Sequence, residues 1–182
     1  MVEVDPRTVS IRSAREADVP EIQRLFKLCY GDRYSHPEFV SAAYLRKMMY
    51  SDNSIVLVAD EAGEGVIATA SVVIDVGAYA DLIGEFGRLV VHPDKRGQHI
   101  GHELMTERIN RVAPYLHIGF ADNRVAHTRS QQISLSHGFA PVGFLPMHNG
   151  DPVALFARHF GVLKFRLVGG RISTKKARGQ CR

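Results

Sequence analysis

The stretch Arg88-Leu89-Val90-Val91-His92-Pro93-Asp94-Lys95-Arg96-Gly97-Gln98-His99-Ile100-Gly101 decides the fold. It opens as an apolar strand and breaks at a Pro-Asp turn. It then crosses a loop with two glycines and enters a segment whose Leu104, Met105, Ile109 and Val112 recur at helical spacing. A loop of this kind aims backbone N–H groups outward at a helix N-terminus, where the macrodipole favours an anion. Glycine lets the backbone approach a phosphate without a Cβ in the way. Lys95 and Arg96 add positive charge beside it. Neither GxGxxG nor GxxxxGK[ST] occurs here, which argues against a dinucleotide fold and a P-loop NTPase.

Working outward, strands alternate with helices. Thr8–Arg12 is β-prone, and a helix with Asp18 as N-cap and Pro20 in its first turn buries Ile22, Leu25, Phe26 and Cys29 on one face. A second helix is expected over Pro37–Met49. Strands follow at Ser54–Asp60, Val66–Val76 and Glu85–His92, and a helix runs from the glycine loop to Ala113. Tyr115–Ala121 reads as a strand and Ser130–His137 as a short helix. Phe139–Leu145 and Val153–Arg158 close the set as strands. The order gives an α/β (α+β) sheet protein.

The chain has 182 residues, 45% hydrophobic and 23% charged, enough for one self-sufficient core. The net charge of +4 is uneven. Lys164 to Arg182 hold seven basic residues and no acidic one; removing those seven from the 23 Lys and Arg leaves 16 against 19 Asp and Glu. The expected division is therefore a domain over 1–163 and a basic tail over 164–182. Basicity confined to a tail argues against a nucleic-acid-binding domain. No apolar run approaches membrane-span length and Met1–Ser10 has no leader pattern, so no membrane is expected. Cys29 and Cys181 cannot build a disulfide framework, which fits a reducing cytoplasm. The nine histidines include no HExxH, and His99 with His102 lacks a third ligand at metal spacing, so no metal is expected.

The loop Arg96-Gly97-Gln98-His99-Ile100-Gly101 resembles the R/Q-x-x-G-x-G/A signature of the GNAT superfamily of acyl-CoA N-acyltransferases. Ile11-Arg12-Ser13-Ala14-Arg15-Glu16-Ala17-Asp18-Val19-Pro20 is similar to that family's opening. The helix ending at Gly138-Phe139 is similar to its close, so the likeness spans residues 8–160. One departure is His99, where the signature's middle glycine usually sits. The resemblance implies a mixed, mostly antiparallel central sheet flanked by helices. It also implies acetyl-CoA as acyl donor and an amine acceptor, joined by direct attack in a ternary complex. Leu89, Val90 and Val91, the loop from Arg96 through Gly101, and His102 in the first helical turn would hold the coenzyme. His127 stands where the family often has asparagine and would hold the pantetheine arm.

An alkyl amine with a pKa of about 10.4 costs roughly 4–5 kcal/mol to deprotonate at pH 7, and a general base offsets part of this. Glu85 matches the glutamate base of the histone acetyltransferase branch, and on a period-2 strand it shares a face with Gly87 and Leu89. A salt bridge to Arg88 or Arg12 is the competing role. Ser134 occupies the position where many members carry a tyrosine general acid. The acceptor pocket would form from Tyr30–Tyr50, with Tyr30, Asp32, Arg33, Tyr34 and Tyr44. A non-catalytic acyl-CoA sensor and a longer-chain acyltransferase are the alternatives, and a homodimer stays open.

Overall fold

The computed structural model describes residues 9–32, 34, 36–74, 82–148, 151–160, 165–168 and 171–174. Its centre is a seven-stranded sheet built from β1 (Val9–Ser13), β2 (Ser54–Glu61), β3 (Gly65–Val73), β4 (Ile83–Val91), β5 (Ile118–Arg124), β6 (Ala140–His148) and β7 (Asp151–His159). The strand order is β1-β2-β3-β4-β5-β7-β6. All neighbours are antiparallel except β4 and β5, which run parallel and pair only at Ile83–Ile118, Gly84–Gly119 and Glu85–Phe120. Beyond Glu85 the two strands have no ladder between them, so the sheet opens at its centre. This is the mixed, mostly antiparallel sheet expected.

Helices α1 (Val19–Tyr30) and α2 (Ala42–Met49) cover one face. Ile22, Leu25, Phe26, Leu45 and Met48 pack there against Val56, Val58 and Val90. Burial of several such side chains at ~1.5–3 kcal/mol each is the main force holding this layer. On the other face α3 (Ile100–Val112) packs Leu104, Met105, Ile109 and Val112 against Leu57, Ala70, Val72 and Phe86, and α4 (Thr128–Ser136) follows β5. The tail, read above without elements, contains the hairpin β8 (Phe165–Val168) and β9 (Arg171–Thr174), a separate two-stranded sheet.

Three local readings change. Asp18 does not cap α1 with its side chain; a turn of 3-10 helix over Glu16–Asp18 precedes the helix, and Asp18 itself is helical in φ and ψ. Arg12 claims its carboxylate, at 2.6 Å and 2.9 Å, and also reaches Asp60 at 2.7 Å, which ties β1 to β2 and α1. The helix expected over Pro37–Met49 is split into a 3-10 turn (Pro37–Val40) and α2. Ser41 is extended at the junction and its hydroxyl accepts from the Tyr44 N–H, a capping preference stronger than helical continuity. The strand expected to reach Val76 ends at Val73; Asp75 and Val76 lie outside the described residues.

Candidate active site

The chemistry-bearing residues collect where β4 and β5 part. A β-bulge sets Ser71 opposite Gly87 and Thr69 opposite Val90, so β4 carries one residue more than β3 over this span. Arg88 within it has φ of 56°, a left-handed conformation uncommon outside glycine. The bulge reverses the expected alternation. Val90, not Leu89, returns to the Gly87 face and enters the α1 core, whereas Leu89 and Val91 turn toward α3. Leu89 nevertheless lines the same cleft as Glu85, Gly87 and Arg88.

The cleft has two sides. From β5, Asp122 and Arg124 continue the face set by Phe120 opposite Glu85. Arg124 lies 5.8 Å from the Tyr30 ring of α1, and Tyr30 and Tyr34 pack at 4.7 Å beside it. Burial pushes both phenols up. Glu85 Oε1 lies 2.8 Å from Arg88 Nη1, an ion pair not aligned as a hydrogen bond. The competing role named for Glu85 is thus present, with Arg88 and not Arg12 as partner. Behind them Arg108 of α3, 1% exposed, donates to the Ser71 and Gly87 carbonyls, both at 3.1 Å. Burial, then Arg88, lowers its pKa to about 9, so it is charged at neutral pH.

On the other side, Asn123 of β5 donates to Ser134 Oγ at 3.0 Å. Ser134, 1% exposed, lines the cleft with Ile133, Met105 and His127. His127 precedes α4, and burial followed by Arg124 lowers its pKa.

The glycine loop reaches the start of α3 as expected. Gly97 has φ of 84° and His99, the N-cap, has φ of 61°. The signature's glycine position thus needs a left-handed residue, and this chain fills it with histidine. The first helical bonds run from His102 and Glu103 N–H to the His99 carbonyl, leaving the preceding N–H groups outside the helical ladder. A Cβ on Gly101 would stand 3.0 Å from Ile133 Cδ1, so glycine there permits close packing of α3 on α4. Gln98 and His99 are exposed and Ile100 is buried. His102 packs between His99 (5.7 Å) and His137 (5.4 Å) with the rings tilted, and burial with these two neighbours lowers its pKa.

Two cations of the loop differ from the sequence reading. Lys95 does not face outward; it is buried in direct ion contact with Glu61 Oε2, with Glu64 3.6 Å away. Arg96 is exposed but folded back, donating to the Val91 carbonyl at 3.3 Å and to Cys29 Sγ at 3.5 Å. Arg33, expected at the acceptor pocket, lies outside the described residues. Sequence reasoning named Arg88 only as an ion partner of Glu85 and missed Arg108, Asp122, Asn123 and Arg124. The available signal was the run Asp122-Asn123-Arg124, polar on both faces at the end of an otherwise apolar strand.

Among the described residues no group of three or more His, Cys, Asp or Glu is placed to hold a metal ion, and no helix is long and apolar enough to cross a membrane. No curated protein matches this sequence. An aminoglycoside 6'-acetyltransferase type Ii shares the fold at 20% identity and TM-score 0.67, over 83% of this chain and 97% of that one. The yncA protein of Salmonella typhimurium, a putative acetyltransferase solved with its cofactor acetyl-CoA, superposes at TM-score 0.67 and 18% identity, over 84% and 94%. A putative acetyltransferase of Acinetobacter baylyi ADP1 gives TM-score 0.72 at 18% identity, over 85% and 94%. Residues 52–141, which contain β4, the glycine loop and α3, match the acetyltransferase (GNAT) domain. This chain therefore carries a segment that matches the GNAT acetyltransferase domain, within a fold it shares with solved acetyltransferases.

Proposed function

We propose that this protein is an N-acetyltransferase that moves an acetyl group from acetyl-CoA to a primary amine. The observation that carries the reading is the parting of β4 from β5 beside a glycine loop at the N-terminus of α3. That arrangement offers unpaired strand edge to an amide-bearing arm and backbone N–H groups to a pyrophosphate. The coenzyme would lie along Leu89–Val91 with its phosphates on Arg96–Gly101 and the first turn through His102, and His127 beside the arm. Arg96 reaches a phosphate by leaving Val91 and Cys29.

Glu85 is the proposed base. It takes a proton from the ammonium; the neutral amine then attacks the thioester carbonyl, the C–N bond forms and the C–S bond breaks. A backbone donor of the opened β4 edge stabilises the oxyanion. The nitrogen gives up its second proton as the amide forms and the thiolate takes one up, with Ser134, buried and held by Asn123, as the hydroxyl that would relay it. A single domain over 1–163, acting without a metal in a reducing cytoplasm with the 164–182 tail outside the chemistry, completes the proposal. Mixing the protein with acetyl-CoA and a panel of primary amines, with free thiol as readout, tests it. Amine-dependent thiol release supports transfer, while binding without release points to the sensor alternative.

A further inference from the structure

The walls of the cleft carry charges in opposite-sign sets. Glu85 and Arg88 pair on β4, and on the α1-side face of β5 Arg124, whose Nε lies 3.3 Å from Asp151 Oδ2, stands two residues from Asp122. An acceptor amine that takes up Glu85 displaces its ion partner. Arg88 is half-buried, its Nη1 has no aligned acceptor, and its guanidinium lies 4.8 Å from the Phe39 ring. Arg108, fully buried, is the next cation behind it. An acceptor bearing only positive charge would leave Arg88 with no counter-ion in a poorly solvated wall next to another guanidinium. Such uncompensated charge is strongly unfavourable. An acceptor that also carries an anion replaces the internal pair in kind, ammonium on Glu85 and anion on Arg88. Planar guanidinium suits a carboxylate, which it binds in a bidentate fork. The left-handed φ of Arg88 is consistent with a side chain held at a functional position at some backbone cost.

Resting on the acetyltransferase reading, we infer that the acceptor is a small amino-carboxylic acid, its ammonium taken by Glu85 and Asp122 and its carboxylate by Arg88 and Arg124, rather than a polyamine or an aminoglycoside. The Tyr30–Tyr34 pair closes the cleft above these charges and suits an acceptor with an apolar side chain.

The test uses the full chain with acetyl-CoA and thiol detection. The acceptors are the common amino acids, each beside its carboxamide, together with spermidine and kanamycin. One charge-assisted contact is worth ~1.5–3 kcal/mol, so the best amino acid should exceed its carboxamide by about 10- to 100-fold in kcat/KM, mostly through KM. Arg88→Lys, which keeps charge but loses the fork, and Arg124→Gln should each narrow that gap. The second variant serves if the first does not fold. Carboxamides or spermidine equal to or better than the amino acids overturn the acceptor class and leave acetyl transfer standing. Acetyl-CoA binding with no thiol from any amine overturns transfer itself and the acceptor class with it.

Discussion

Lys95→Met should destabilise the protein without weakening its hold on the coenzyme. Lys95 lies one residue before the Arg96–Gly101 loop, yet its side chain is only 9% exposed and meets Glu61, 3% exposed, at the end of β2. Removing one partner of a buried ion pair leaves the other charge uncompensated, which costs roughly 3–5 kcal/mol. The exposed Glu64 at 3.6 Å contributes little beside this. For a domain of this size 1 kcal/mol moves the melting midpoint by about 2–4 °C, so the midpoint should fall by on the order of 10 °C. Adding Glu61→Gln should restore most of the loss, since no charge then remains buried. Urea denaturation of the two single variants and the double variant measures the cycle. If Lys95→Met lies within about 1 kcal/mol of wild type and loses acetyl-CoA affinity, Lys95 faces a phosphate and the buried pinning of the loop is wrong.

Other outcomes follow from the same geometry. Glu85→Gln should lower turnover by about 10²–10⁴ with coenzyme affinity nearly unchanged, the deficit shrinking as pH rises because more amine arrives neutral; superimposable pH–rate profiles would remove Glu85 as the base. The Asp18 carboxyl is held below its ordinary value first by Arg12 and then by the Arg15 N–H, against burial. A depressed folded-state pKa gives stability that is full above the unfolded value of about 3.9 and is lost as pH falls through the folded one. Asp18→Asn should therefore be destabilising at neutral pH and indistinguishable from wild type in strong acid, as pH-dependent thermal melts would show. His99→Gly should raise stability by about 0.5–1 kcal/mol, because glycine carries little penalty at φ of 61°; a loss on denaturation would mean that the His99–His102 contact outweighs the strain.

What the sequence disclosed, it disclosed through local patterns with one dominant physical cause. The spacing of Ile22, Leu25 and Phe26 marked the buried face of α1, and the glycine loop marked the start of α3. What stayed hidden depends on partners far along the chain. Lys95 reads as a surface cation until Glu61, 34 residues earlier in the sequence, is folded beneath it. Asp18 reads as a cap until Arg12 competes for it. The bulge at Arg88 has no glycine at the left-handed position to announce it, so strict alternation put Leu89 on the Glu85 face and Val90 on the other. Arg108 sits on the buried stripe of α3 and reads as a polar interruption. Only the carbonyls of Ser71 and Gly87, which accept from its guanidinium at the bulge, explain its place.

The proposed transfer depends on one loop and one opened strand pair receiving acetyl-CoA. Titrating acetyl-CoA into the isotope-labelled protein and following backbone amide resonances tests that directly. The largest shifts should fall on Gly97 to His102 and on Leu89 to Val91, with the loop amides moving as hydrogen-bond donors to phosphate do. Shifts centred elsewhere, or saturable binding that leaves those amides in place, would contradict it.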